Sequence, residues 1–218
     1  VKQALIFDLD GTLVDSLQGI ATALNHALRL SSLPVHSLEV VRGFIGNGAR
    51  ILIERGAPAG SSETLLDQLE QAFKTEYEVA WPQGTSPYPG ITSLLETLQE
   101  RGATLAVLSN KPHAFTAAMV ARIFPGIRFG VVLGQRFGIP HKPDPAGALE
   151  ISAQLGVAPE CCCIIGDSTM DIETAKNARM KAIAVTWGFH DCERLVEAGA
   201  NHIANDPAEL LRICETGS

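Results

Sequence analysis

The sequence predicts an α/β fold: a doubly wound, mainly parallel, Rossmann-like core with an all-helical module inserted into it. Three observations predict it. Four short apolar runs, at 4–7, 105–108, 162–165 and 182–185, have the continuous hydrophobicity of strands covered on both faces. Helical patterns separate the last three, and such alternation marks a parallel sheet. From 15 to 87 the alternation stops and only helical patterns remain. The expected division is an α/β core of 1–14 and 88–218 and a helical module of 15–87.

The elements follow in order. Ala4-Leu5-Ile6-Phe7 is a buried strand that ends abruptly at Asp8. Leu17, Ile20, Leu24 and Leu28 keep helical spacing. Two shorter helical segments come next, interrupted by Gly43-Phe44-Ile45-Gly46-Asn47-Gly48. Leu65, Leu66, Leu69, Phe73 and Tyr77 mark a long helix capped by Ser61 or Ser62. Residues 82–89, with proline at both ends and Gly84 between, read as a return linker that Gly90 closes. In the core, Leu94, Leu95 and Leu98 mark a helix before the second strand, and Phe115, Ala118, Met119, Arg122 and Ile123 one after it. Ala148, Leu149, Ser152 and Leu155 precede the third strand, and Ile172, Ala175 and Ala178 follow it. There is no internal repeat and no low-complexity segment.

Bulk properties narrow the function. The chain has 218 residues, 46% hydrophobic and 19% charged, which is a globular composition. No apolar run approaches the roughly 20 residues needed to span a bilayer. The apolar stretch near the N-terminus is too short and too soon acidic for a signal peptide. A net charge of −7 with no basic block disfavours nucleic acid. Five cysteines and no export signal suggest reduced thiols and a cytoplasmic location. The run Cys161-Cys162-Cys163 reads as small side chains on a buried strand rather than a metal site, because neighbours on a strand face opposite ways. The six histidines show no metal-ligand spacing.

The chemistry stands at the strand ends. Asp8, Asp10 and Asp15 crowd three carboxylates into eight positions after a buried run, without a basic neighbour. Buried carboxylates need a cation or a proton. In open α/β sheets ligands bind beyond the carboxyl ends of the strands. There the chain places Asp8-Leu9-Asp10-Gly11-Thr12, Ser109-Asn110-Lys111 and Gly166-Asp167-Ser168, with Asp171 one helical turn later and Lys142 in Pro140-His141-Lys142-Pro143. This set suits phosphoryl transfer from a monoester. Asp8 and Asp167 would hold Mg2+, a hard cation that takes oxygen ligands and shares its shell with phosphate. Asp8 would also be the nucleophile, and Asp10 the acid and then the base. Thr12, Ser109, Asn110 and Lys142 are the candidate phosphate-binding residues, placed where transition-state charge spreads. Asp15 precedes a helix and suits capping or hinge duty.

These residues resemble the haloacid dehalogenase superfamily, and closely its phosphoglycolate-phosphatase-like members. The run from Asp8 to Ser16 is similar to the first motif of that family. Ser109-Asn110-Lys111-Pro112 is similar to the second, Lys142-Pro143-Asp144-Pro145 to the third, and the run from Gly166 to Asp171 to the fourth. The resemblance covers the whole chain, and the helical module looks like the family's C1-type cap. It implies Asp8 as nucleophile, Asp10 as acid/base, and Mg2+ held by Asp8, Asp167 and the Asp10 main-chain carbonyl. Asp171 would lie at the metal or just behind a ligand, and Lys142 would neutralise the phosphoryl group. Gly46-Asn47-Gly48 resembles the cap loop of phosphoglycolate phosphatases that faces the core site, with a plain interhelical turn as the alternative reading. Arg50, the nearest basic side chain, is either a charge for the substrate's carboxylate or a solvated side chain. Asp10 and the Asp167/Asp171 pair argue against a metal-free dehalogenase. The cap has only Lys74 to offer as the Schiff-base lysine of a phosphonatase. Where the family commonly has glycine after Asn177-Ala178, this chain has Arg179, at a helix end where glycine relieves left-handed strain.

The expected activity is hydrolysis of a small phosphate monoester, 2-phosphoglycolate first, through an aspartyl-phosphate. A sugar-phosphate phosphatase, a pyrophosphatase and a phosphoglucomutase are the enzyme alternatives. A non-catalytic phosphometabolite-binding regulator is the rival class. The expected partners are a small phosphorylated metabolite, no nucleic acid and no membrane, with the chain a monomer or homodimer.

Overall fold

The computed structural model describes residues 3–216. The chain forms two compact units: Val1–Val14 with Pro87–Ser218, and Asp15–Ser86.

In the first unit, six strands form one parallel sheet in the order β5-β4-β1-β6-β7-β8. They are β1 (Ala4–Phe7), β4 (Thr104–Pro112), β5 (Phe129–Gln135), β6 (Cys162–Gly166), β7 (Lys181–Val185) and β8 (His202–Ala204). The short β2 (Val14–Asp15) and β3 (Ser86–Pro87) pair separately. The chain starts in the middle of the sheet, builds outward on one side through β4 and β5, then returns to build the other side. Strand order thus reverses around β1, where a ligand crevice is expected. Every residue of β1 and of β6 is buried, as strands covered on both faces require. One face packs Ala4, Ile6, Ala106, Cys162 and Ile164 against Ala148 and Ile151 of α7 (Ala146–Leu155) and Ile172 and Ala175 of α8 (Thr169–Asn177).

Register sets the site. Phe7 pairs with Val107 on one side and Ile165 on the other. The residues just beyond these three therefore share one edge of the sheet. They are Asp8 to Asp10, Leu108 to Lys111, and Gly166 to Ser168.

The second unit is helical: α1 (Leu17–Leu30), α2 (Leu38–Arg42), α3 (Ala49–Gly56) and α4 (Glu63–Gly84). Ser62 caps α4, accepting from the Leu65 N–H. Asp15 Oδ1 accepts from the Leu17 N–H at 3.1 Å, at the head of α1. The linker expected over 82–89 needs correction, because α4 continues through Pro82 to Gly84. The cause is packing: a Cβ on Gly84 would lie 2.5 Å from Gly19 N, so the end of α4 lies directly on α1. Trp81, buried in the same turn, anchors it.

Besides the two-residue β2 and β3, two strands of the six-stranded sheet have no counterpart among the expected elements. β5 is broken in sequence by Gly130 and Gly134, and β8 has only three residues. The cysteine run divides. Cys161 ends a short 3-10 turn, Cys162 and Cys163 lie buried in β6, and all five cysteines are free.

Arg179 follows α8 with a φ of 59°, held there by Met180 N–H donating to Ala175 O at 2.8 Å. A side chain in this region costs about 1–2 kcal/mol, partly offset by the extra freedom glycine has when unfolded. Arg179→Gly is expected to stabilise the chain by about 0.5–1 kcal/mol, read as a higher denaturation midpoint at unchanged slope.

Candidate active site

Asp8 continues β1 beyond Phe7, its N–H donating to Ile165 O at 2.9 Å. Asp167 continues β6, and Asp171 lies in the first turn of α8. Ligand oxygens of these three buried carboxylates come within 4.8 Å of one another. Lys142, itself buried, reaches across two of them: its Nζ is 2.9 Å from Asp8 Oδ1 and 2.6 Å from Asp171 Oδ1, and it donates to Leu108 O at 3.2 Å.

Each member is held from behind. Asp171 closes a capping box with Ser168, whose N–H and Oγ donate to Asp171 Oδ2 at 3.1 and 2.6 Å. Thr12 Oγ1 donates to Asp167 Oδ1 at 2.9 Å, and the Phe189 N–H to Asp167 Oδ2 at 2.7 Å. Trp187 Nε1 in turn holds Thr12 O at 3.1 Å. Glycine allows this crowding. Gly11 has a φ of 85°, and a Cβ on it would fall 2.3 Å from Asp167 Oδ2. Asn110 exchanges two hydrogen bonds with the Lys142 main chain, at 3.2 and 2.8 Å, and so fixes the loop that carries the lysine. Ser109 Oγ accepts from the Lys111 N–H at 3.2 Å.

The electrostatics are unbalanced toward negative charge. Burial, with the neighbouring Asp171 and Asp10 and against the opposing pull of Lys142, pushes the Asp8 carboxyl up to about 7. Burial, then Asp8 and Asp171, pushes Asp167 up to about 8. Burial opposes the charge on Lys142, but Asp171 and Asp8 outweigh it and raise its pKa. Asp8 Oδ1 has the Lys142 ammonium beside it yet no aligned hydrogen bond. A buried, under-satisfied carboxylate oxygen inside a set of three carboxylates fits a small divalent cation, which would supply the missing charge.

These shifts have a consequence for stability. Above about pH 4 the unfolded carboxylates lose protons that Asp8 and Asp167 keep in the fold until about 7 and 8. Without metal, the contribution of these groups is present at low pH and lost as pH rises through that window. A cation that binds the deprotonated forms reverses the loss. The gain in Tm on adding Mg2+ is expected to be larger at pH 8 than at pH 5, measured against excess chelator. Equal gains would show that the cation binds elsewhere.

The residues expected at the site divide by unit. Asp8, Asp10, Thr12, Ser109, Asn110, Lys142, Asp167 and Asp171 come together in the first unit. Gly46, Asn47, Gly48 and Arg50 lie in the second. Gly48 sits at the head of α3, Asn47 Oδ1 accepts from Arg55 at 2.9 Å, and the Arg50 guanidinium contacts Glu54, Glu63, Asp67 and Glu70. An anionic substrate at Arg50 would compete with four carboxylates. Sequence reasoning missed the Trp187-Gly188-Phe189 brace. The signal existed, because this segment lies just beyond the β7 carboxyl end, where the same strand-end rule applies.

The family model for haloacid dehalogenase-like hydrolases matches residues 5–185. The chain is 32% identical over 221 residues to phosphoglycolate phosphatase 1 of Pseudomonas aeruginosa, covering 97% of this chain and 79% of that one. It is 34% identical over 197 residues to the phosphoglycolate phosphatase of Psychrobacter arcticus, covering 87% and 85%. The crystal structure of a predicted phosphoglycolate phosphatase from Haemophilus somnus superposes with a TM-score of 0.90, at 29% identity and 98% coverage of both chains.

Proposed function

This chain belongs to the haloacid dehalogenase-like hydrolases, and from that premise we propose that it is a Mg2+-dependent phosphatase hydrolysing 2-phosphoglycolate through an aspartyl-phosphate. The observation that carries the reading is the buried Asp8, Asp167 and Asp171 set with Lys142 across it. The phosphatase class has the further support of the relatives.

In this reading Asp8, Asp167 and the Asp10 main-chain carbonyl would hold the metal, and Asp171, whose oxygens already serve Lys142 and Ser168, would be a further ligand or support one. Mg2+, when bound, neutralises the carboxylates and the phosphoryl oxygens. The free Asp8 oxygen attacks phosphorus as the ester P–O bond breaks, and Asp10 gives its proton to the departing oxygen. Water then attacks the acyl-phosphate and Asp10 takes its proton back, releasing phosphate and restoring Asp8. Lys142, with Thr12, Ser109 and Asn110 at the same sheet edge, faces the equatorial oxygens, where a loose transition state holds its charge.

The substrate assignment rests on the relatives, which are phosphoglycolate phosphatases, and the Gly46-Asn47-Gly48 loop is the expected specificity element. A panel of phosphate esters ranked by kcat/KM tests it, with 2-phosphoglycolate expected first. Asn47→Ala should lower kcat/KM for that ester by about 1–3 kcal/mol, the cost of an unpaired charged partner, and spare p-nitrophenyl phosphate. A sugar phosphate at the head of the panel would replace the substrate and keep the mechanism. Undiminished turnover in excess chelator would overturn the metal.

A further inference from the structure

The mechanism uses one buried lysine, and the site contains two. Lys111 Nζ contacts both carboxylate oxygens of Asp10, at 3.0 and 2.8 Å. Their side chains are only 7% and 13% exposed. A solvent-exposed pair contributes little to stability. Here each charge has left water, and removing one leaves the other poorly compensated. Lys111 stands on β4 and Asp10 in the turn that follows the neighbouring β1, each a few positions beyond the paired Val107 and Phe7.

Both roots are fixed. The Lys111 N–H donates to Ser109 Oγ at 3.2 Å and its carbonyl accepts from the buried Thr116 Oγ1 at 3.2 Å. Gly134 of β5 lies so close that a Cβ on it would be 2.6 Å from Lys111 O. In the turn after β1, Asp10 bridges to Val14, and the Gly11 N–H donates to Val14 O at 2.9 Å. The ammonium is therefore an anchored point rather than the end of a wandering arm. The two lysines also divide the carboxylates. Lys142 serves Asp8 and Asp171, and Lys111 serves Asp10.

We propose that Lys111 is a positioning residue for Asp10, holding its carboxylate in the one orientation from which it reaches the reacting oxygens. The proposal rests on the assignment of Asp10 as acid and base. Lys111 acts through Asp10 and touches no substrate. Small misplacements of a reacting group cost large factors in rate. Lys111→Met should lower kcat for 2-phosphoglycolate roughly 10–100-fold and leave KM within about threefold.

The deciding experiment is a double-mutant cycle with Asp10→Asn, read as kcat on 2-phosphoglycolate and on p-nitrophenyl phosphate. In the Asp10→Asn background, Lys111→Met should change kcat less than about twofold, because the group it positions has lost its function. Lys111→Arg, which keeps the charge but moves it, should fall between wild type and Lys111→Met. It also serves for the cycle if the methionine variant proves unstable. Independent, multiplying losses would overturn the proposal and place Lys111 on the substrate, as would a loss confined to KM. A folded Lys111→Met enzyme with wild-type kcat would also overturn it. Full activity of Asp10→Asn would instead remove Asp10 from the mechanism, a failure of the underlying reading visible before Lys111 is touched.

Discussion

Asp8→Asn is expected to abolish turnover of every phosphate ester, to the limit of detection, while the protein remains folded. Asparagine keeps the shape of the side chain but loses the nucleophilic oxygen and a metal ligand, so two functions fail together. The fold has little stake in the charge. The Asp8 N–H bond to Ile165 O belongs to the backbone and survives. Desolvation and the neighbouring carboxylates already disfavour the ionised side chain, so the metal-free variant should melt no lower than wild type. A rapid-quench assay should find no covalent phosphate in the variant. Activity within tenfold of wild type would take the nucleophile role away from Asp8.

Asp10→Ala should fail differently. Loss of a general acid and base typically costs about 10²–10⁴-fold. The first half-reaction should suffer most with alkyl esters, whose alkoxide must be protonated as it leaves. It should suffer little with p-nitrophenyl phosphate, whose leaving group is stable as an anion. Covalent phosphate should then accumulate with p-nitrophenyl phosphate, because water still lacks its base. Equal losses for both esters in the first half-reaction would mean that Asp10 supports the metal site rather than moving protons.

How far the sequence reaches depends on what each element must bury. β1 and β6 are covered on both faces, so their apolar runs are unbroken and readable. β5 is not readable, because close neighbours replace its side chains with glycine. A Cβ on Gly130 would meet the Leu155 side chain at 2.7 Å, and Gly134 is pressed against Lys111 O. Pro82 reads as a helix breaker, and the close approach of Gly84 to Gly19, with Trp81 buried in the same turn, explains why α4 continues past it. The candidate site follows the same logic. Its carboxylates lie in short local motifs beyond predicted strands. The groups that hold them do not: Lys111 grips Asp10 from another strand, and the Phe189 N–H reaches Asp167 from a loop two elements later. Such pairings exist only after the sheet order is known.

That sheet order has a consequence for how the chain is made. β1 precedes the other five strands of its sheet in the chain, yet it lies between β4 and β6. Its partner Cys162 follows Ala4 by roughly 160 residues. At about 5–20 residues per second, Ala4–Phe7 waits on the order of 8–30 s for its second neighbour. Until β4 is made the apolar strand has two open edges, and one stays open until β6 follows, the condition in which nascent chains aggregate or recruit holding factors. The helical unit, continuous over Asp15–Ser86, has no such wait. Translation arrested once Ser86 has cleared the ribosome should therefore yield a protease-resistant helical unit flanked by a sensitive β1 segment, with the strand fully protected only once β6 has emerged.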